Sequence, residues 1–309
     1  MNQISPLYSI LIGSKDRPSD LIRCIKSVAA QTYSNLEILI LDDNSKESLC
    51  SKVAEVFGDN RIRCIRSDIT LGVAGGRNKL IKEAKGDFLI TLDDDAVLRY
   101  DDSLGRLTEL FNSHPDVGLL SFKITDIIDG KEAATRIPFH RASIRRHPEL
   151  ANLPQYVSYF LGGGHAARRD VYEKCGLYQQ DLIFGVEELD LSYRMIEAGY
   201  KLFYTPDIVV EHYSKYRSSL SKKARSRHLY FLTRNKIWIN YKYLPGFAFF
   251  INSLLWCIVR FASSPFTGGF IQIIRGIYDG LSGLRKLRRT PISKKTVLYL
   301  QHNHGRLLF

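Results

Sequence analysis

Residues 88–95 read Phe88-Leu89-Ile90-Thr91-Leu92-Asp93-Asp94-Asp95, an apolar run of five that ends in three consecutive carboxylates. The run has the length and composition of a buried strand. Acids clustered at the end of such a strand are costly unless a cation neutralises them. Mg²⁺ and Mn²⁺ take carboxylate oxygens and bridge them to phosphates, so the triplet is either a cation site or a solvated acidic turn. Its surroundings along the chain decide which.

Upstream, Tyr8 to Ile12 reads as a strand closed by Gly13, Leu36 to Leu41 as a second that ends in Asp42-Asp43, and Arg61 to Arg66 as a third. Leu21, Ile25, Val28 and Ala29 recur at helical spacing behind a candidate cap at Ser19 or Asp20. Gly72-Val73-Ala74-Gly75-Gly76-Arg77-Asn78 opens a further helix. Strands interleaved with helices predict an α/β layer with a largely parallel sheet, whose ligands bind outside the carboxyl ends of the strands. Two strands therefore deliver carboxylates to one edge. Downstream, residues 118–160 look less regular, and Gly162-Gly163-Gly164 reads as a flexible loop. Leu189 to Ala198 reads as a helix ended by Gly199. Lys201 to Tyr204 and Ile208 to Val210 read as short strands broken by Pro206.

At 309 residues, 45% apolar and 25% charged, the chain has the composition of a globular protein able to bury a substantial core. Its net charge of +12 is unevenly spread: residues 211–309 hold 18 Lys and Arg against only Glu211 and Asp279, and the body before them is slightly acidic. A tail of that sign suits an anionic membrane or a phosphorylated substrate; the segment lacks a nucleic-acid reading module, which argues against nucleic acid. Five scattered cysteines without a CxxC spacing predict neither disulfides nor a zinc site, and a reducing cytosol. No secretory-signal pattern opens the chain, and the apolar stretch Phe247 to Val259 is too short for a membrane span.

Three further features carry chemistry. Arg77, near a glycine-rich helix start, suits a diphosphate, although neither a P-loop nor a GxGxxG fingerprint is present. Glu187-Glu188-Leu189-Asp190 places acids at a helix start, where the dipole favours them and where one can take a proton from an attacking hydroxyl. His212 follows a strand and suits an oxygen-rich metal site or a phosphate.

Together these segments resemble the inverting glycosyltransferases of family 2, over roughly residues 7–245. The opening run from Ser9 to Pro18 matches, with Asp16 where asparagine is usual; so do Gln31 to Ile38, Leu41-Asp42-Asp43-Asn44-Ser45 and Leu71 to Asn78. Asp93-Asp94-Asp95 falls on the DXD motif and Glu187-Glu188 on the Glu-Asp pair, with glutamate in place of the commoner aspartate. Leu189 to Arg194, Ala198-Gly199-Tyr200, Arg227-His228 and Thr233-Arg234-Asn235 continue the match.

The resemblance implies a GT-A fold, a Rossmann-like mixed sheet flanked by helices, and a nucleotide-diphosphate-sugar donor, UDP favoured. It implies Asp16, Asp43, Arg77, Asp93 and Asp94 on the donor, and Asp95, Asp93 and His212 on Mg²⁺ or Mn²⁺. Glu188 becomes the base, with Gly163, Gly164, Glu187 and Asp190 forming a loop over acceptor or donor. Residues 1–220 would be the catalytic domain and 221–309 a helical, basic extension. In that extension Phe270, Ile274, Ile277, Leu281 and Leu284 form an apolar stripe followed by Arg285, Lys286, Arg288 and Arg289. The stripe is either a packing face or an interfacial helix on an anionic inner leaflet, serving a glycan or lipid-linked acceptor in polysaccharide biosynthesis. That would make the protein cytoplasmic and peripheral at the inner face of the cell membrane. A sugar-phosphate nucleotidylyltransferase and a non-catalytic nucleotide-sugar-binding scaffold are the alternatives.

Overall fold

A computed structural model describes residues 5–139, 146–213, 222–267 and 269–305. In chain order, β1 (Tyr8–Ser14), α1 (Pro18–Ala29), β2 (Leu36–Asp42), α2 (Leu49–Val56), β3 (Ile62–Arg66), α3 (Gly72–Glu83) and β4 (Phe88–Asp93) alternate as expected. β5 (Ala96–Leu98), α4 (Ser103–Ser113), β6 (Val117–Ile128), β7 (Lys131–Arg136), β8 (Gln155–Val157), β9 (Gly164–Arg168), α5 (Arg169–Cys175), α6 (Glu187–Glu197) and β10 (Lys201–His212) complete the layer. Four helices follow: α7 (Lys222–Tyr243), α8 (Gly246–Thr267), α9 (Phe270–Ser282) and α10 (Lys294–His302).

The strands join one mixed sheet of order β3-β2-β1-β4-β9-β6-β10-β5, with β7 on β6 and β8 on β10. β1 runs parallel to β2 and β4, and β2 parallel to β3, whereas β9 is antiparallel to β4 and β6. Helices cover both faces, which is why β1, β2 and β4 read as continuous apolar runs. One core layer holds Leu21, Ile25 and Val28 of α1 with Leu104 and Leu107 of α4. The other holds Leu80 of α3, Leu191 of α6, Ile239 and Tyr243 of α7 and Leu300 of α10. The C-terminal helices therefore share the core of the sheet.

Four expectations are corrected. The irregular stretch of residues 118–160 contains β6, twelve residues long and central to the sheet. The two strands around Pro206 are one, β10, whose register slips between Thr205 and Val209, so the proline sits where no ladder hydrogen bond is required. Cys50 and Cys64 form a disulfide, because α2 returns beside β3 and brings Cα atoms 14 residues apart to 5.4 Å. Spacing along the chain hid that neighbourhood. The candidate cap at Ser19 or Asp20 lies inside the first turn of α1, which starts at Pro18, a residue whose fixed φ suits that position.

Of the apolar stripe, Phe270, Ile274 and Leu281 are exposed, whereas Ile277 is half-buried and Leu284, beyond the end of α9, packs against the core. Ile273, Gly276 and Gly280 are buried, with Gly276 and Gly280 against α7, whereas Phe270, Ile274, Tyr278 and Leu281 face outward. On α8, Phe247, Phe250, Leu254 and Ile258 are likewise exposed, Phe247 to 80%. Among the described residues no helix is long and apolar enough to cross a membrane.

Candidate active site

Parallel register brings the strand ends level: Ser14 lies opposite Asp42, and Gly13 opposite Asp93. The cleft outside these ends has a volume of roughly 350 Å³, with Asp43, Arg77, Asp93 and Asp94 in its wall. Asp42 and Asp43 divide the work between them. Asp42 is fully buried and accepts hydrogen bonds from Ser45 N (2.9 Å), Leu49 N (3.0 Å) and Arg66 Nη1 (2.6 Å). Burial pushes this carboxyl up, but those donors outweigh it and hold it below the usual range, so Asp42 fastens the turn into α2. Asp43 accepts from Leu71 N (2.6 Å) and Gly72 N (3.0 Å), linking β2 to the start of α3 along the cleft wall. Asp16 stands outside the cleft wall at φ 55° and accepts from Lys46 N at 2.7 Å, while its neighbours Lys15 and Arg17 do line the cleft.

Within the triplet the three carboxylates have different surroundings. Asp94 accepts from Ser14 Oγ (2.7 Å) and Arg17 Nη1 (2.7 Å), and burial pushes it up to about 6 despite both partners. Asp95 meets Arg17 Nη2 at 2.8 Å and His212 Nε2 at 3.2 Å; burial opposes its ionisation, but these two hold it well below the carboxylate range. Burial likewise opposes the charged form of His212, and Asp95 outweighs it, so the imidazole is pushed up. Arg17 was missed from sequence, where only its place three residues beyond the end of β1 marked it.

Ligand atoms of Asp93, Asp95 and His212 all lie within 4.8 Å of one another. Two carboxylate oxygens and an imidazole suit Mn²⁺ or Mg²⁺. His212 Nδ1 lies 2.9 Å from Asp126 Oδ1, and Asp126 Oδ2 takes Arg136 Nε at 2.8 Å. A proton on Nδ1 leaves the Nε2 lone pair facing the carboxylates, the usual support for a metal-binding histidine. The donor set therefore fits a divalent cation.

Arg77 joins this cluster to the second acid pair. It is buried in α3, and its Nη1 donates to Glu188 Oε1 at 2.9 Å. Its Nη2 donates to Gly162 O at 2.9 Å and lies 3.5 Å from Asp93 Oδ1. The guanidinium expected to meet a diphosphate thus also braces Asp93 through Nη2 and Glu188 through Nη1. A Cβ at residue 162 would stand 2.0 Å from Glu188 Oε1 and 2.7 Å from Arg77 Nη2, so any side chain there would displace the ends of both. Gly163 accepts from Asp93 N through its carbonyl (3.4 Å), and Gly164 begins β9, paired with Leu92. Glu187 is buried, its Oε2 has no hydrogen-bond partner, and burial together with Glu188 pushes its carboxyl up.

Asp190, expected in the same loop, is fully buried on the other side of α6. It meets Arg194 (2.7 Å), Lys242 Nζ (2.9 Å) and Tyr243 OH (2.7 Å), tying α6 to α7. Burial opposes its charge, but Arg194 and Lys242 outweigh that and hold the carboxyl down. Its contribution to stability is present at neutral pH and is lost as pH falls below the ordinary carboxylate range. Asp190→Ala strands two cations and is expected to cost about 3–5 kcal/mol, measured by urea denaturation at pH 7.

A mixed sheet with acids gathered at the carboxyl ends of its parallel strands, flanked by helices, defines the GT-A glycosyltransferase class of fold. The mannosyltransferase PcManGT from Pyrobaculum calidifontis, solved with GDP-Man and Mn²⁺, superposes with a TM-score of 0.61 at 18% identity over 99% of this chain and 82% of its own. Residues 9–176 match glycosyl transferase family 2, and the chain belongs to that family. An uncharacterized protein of Haemophilus influenzae is 31% identical over 174 residues, 55% of this chain and 91% of that one. The Escherichia coli UDP-Glc:alpha-D-GlcNAc-diphosphoundecaprenol beta-1,3-glucosyltransferase WfgD is 38% identical over 91 residues. That match spans 29% of this chain and 36% of WfgD, about a third of its length.

Proposed function

We propose that the chain transfers a sugar, with inversion, from a nucleotide-diphosphate donor to a lipid-linked glycan acceptor in bacterial cell-surface polysaccharide synthesis. The observation that carries this reading is Arg77, in the cleft wall, spanning Asp93 and Glu188 at 3.5 and 2.9 Å, which brings the carboxylate read here as the base beside the acids read here as the cation edge. Asp43 and the backbone at Gly72 bound the space for the nucleoside, and Asp93, Asp95 and His212 would hold Mn²⁺ or Mg²⁺. When bound, that cation supplies neutralisation of the departing diphosphate. Glu188 takes the proton of the acceptor hydroxyl as its oxygen bonds to the anomeric carbon. The bond from that carbon to the diphosphate oxygen breaks on the opposite face, and its electron pair leaves with the nucleotide. Arg77 orients the Glu188 carboxylate towards that hydroxyl.

The WfgD name specifies UDP-glucose, which supports UDP as the nucleotide, and the P. calidifontis enzyme was solved with GDP-mannose, so both kinds of sugar enter the test. A panel of UDP- and GDP-sugars with Mn²⁺ or Mg²⁺, scored for nucleoside diphosphate, tests the reading. Release of that product from one sugar is expected; no release from any sugar overturns it.

The acceptor and the membrane are linked in the same proposal. The exposed apolar faces of α8 and α9 precede Arg285, Lys286 and Arg288, all exposed. That combination supports seating on an anionic leaflet at the cytoplasmic face, where a lipid-linked acceptor is reached. Burying one phenylalanine side chain is worth about 1.5–3 kcal/mol. Phe247→Ser with Phe250→Ser is therefore expected to weaken binding to phosphatidylglycerol vesicles by roughly a hundredfold or more, measured by co-sedimentation. Unchanged binding excludes this face.

A further inference from the structure

The short segment that leads into α6 has an unusual backbone. Ile183 (φ 59°), Gly185 (φ 82°) and Val186 (φ 63°) all lie in the left-handed region. β-Branched residues resist that region, because Cβ crowds the following carbonyl. Phe184 N bonds back to Leu182 O at 2.5 Å, closing a tight turn around Ile183. Such a backbone persists only where the surroundings over-determine it.

Among those surroundings one side chain meets three of the segment's carbonyls. Asn235, fully buried on α7, points its amide nitrogen at Leu182 O (2.6 Å), Phe184 O (2.9 Å) and Gly185 O (3.2 Å). Its carbonyl oxygen accepts from Arg234 Nε at 2.9 Å, which fixes which way the amide faces. Arg234 also donates to Asp181 O at 2.7 Å and lies over the ring of Trp238 at 4.2 Å. A Cβ on Gly185 would stand 2.8 Å from Leu232 Cδ2, so the turn sits hard against α7. Directly after it, Val186 O accepts from Asp190 N (3.1 Å) and α6 begins, with Glu187 and Glu188 in its first turn.

We propose that Asn235, aimed by Arg234, is a positioning residue for Glu188: it holds the strained 182–186 turn that sets where the first turn of α6 presents its carboxylate. Without the amide, the carbonyls of Leu182, Phe184 and Gly185 lose the donor they share, in a segment whose Ile183 and Phe184 are already exposed. The turn then relaxes, and Glu188 drifts from Arg77 and the cleft. The inference rests on Glu188 being the base, as proposed above. A displacement of about 1 Å at such a group costs on the order of 10²-fold in rate.

Two variants and two readouts test it. Asn235→Ala is expected to lower kcat about 10–100-fold with the donor KM within twofold, using the most active sugar of the panel with Mn²⁺. Amide exchange of residues 182–189 should rise about tenfold or more in the same variant while β1 to β4 keep their protection. Val186→Gly removes both the β-branched restriction and the packing of Val186 on the core, so the turn gains other backbone states and kcat should fall. If Asn235→Ala fails to fold, Val186→Gly carries the test alone. Wild-type exchange at residues 182–189, or kcat within twofold of wild type in a folded variant, overturns the proposal. The exchange readout needs no turnover. A wild-type protein that releases no nucleoside diphosphate therefore sinks the proposed function, while exchange still decides the clamp.

Discussion

Glu188→Gln is expected to reduce turnover by about 10²–10⁴-fold while leaving the fold and nucleotide binding in place. The amide keeps the size of the side chain and still offers an oxygen to Arg77 Nη1, now 2.9 Å from Oε1. It cannot take a proton from the acceptor, so the loss falls on kcat and not on donor affinity. The neighbouring acid supplies the control. Glu187 is buried, one of its oxygens has no hydrogen-bond partner, and its carboxyl is pushed up by burial and by Glu188. A group biased towards its neutral form is well imitated by an amide, so Glu187→Gln should cost less than about tenfold. Single-turnover measurement of nucleoside diphosphate release with each variant separates the two. Near-wild-type turnover by Glu188→Gln would falsify its assignment as the base, and a larger loss from Glu187→Gln would move the role one residue upstream.

How far the sequence carried depended on how each element buries its polar groups. β1, β2 and β4 are covered on both faces by helices, so their apolar runs and the acids at their ends were legible, and the carboxyl edge followed from them. β6 was not. Its Ser121, Thr125 and Asp126 look like interruptions, yet all three are buried, Ser121 accepting from Leu161 N and Asp126 from Arg136. A strand whose polar side chains are satisfied by distant partners has no periodic signature, and Asp126, the support of His212, was lost with it.

The acid pairs show the same limit. Glu188 and Asp190 are two residues apart on one helix, so they face different directions, and only the packing of α7 reveals that Asp190 belongs to the core. Arg77 was read as a diphosphate ligand from its place near a helix start. Its contact with Glu188, 111 positions away, is made beside Gly162, where a side chain would crowd both partners, and spacing along the chain does not reveal that neighbourhood.

Asp95→Asn is expected to lower metal-dependent turnover by several kcal/mol, on the order of 10²–10³-fold. That change removes a ligand and an anion at once, and it also loosens Arg17, which holds Asp95 at 2.8 Å. Loss of activity alone therefore does not separate metal binding from repacking of the triplet, and Asp126→Asn makes the distinction. Asp126 stands behind His212 at 2.9 Å and outside the ligand set of Asp93, Asp95 and His212. An amide there still accepts the Nδ1 proton but no longer strengthens the imidazole as a donor. Such outer partners are typically worth about 10–100-fold in metal affinity. Titration of Mn²⁺ into each variant, followed by paramagnetic resonance of the free ion, should show weakening of that size for Asp126→Asn and a larger one for Asp95→Asn. Saturating Mn²⁺ should restore turnover to the former and not to the latter. Chelation of the wild-type protein completes the series: full activity after exhaustive treatment with a chelator would remove the cation from the mechanism and leave Arg17 as the charge that neutralises this edge.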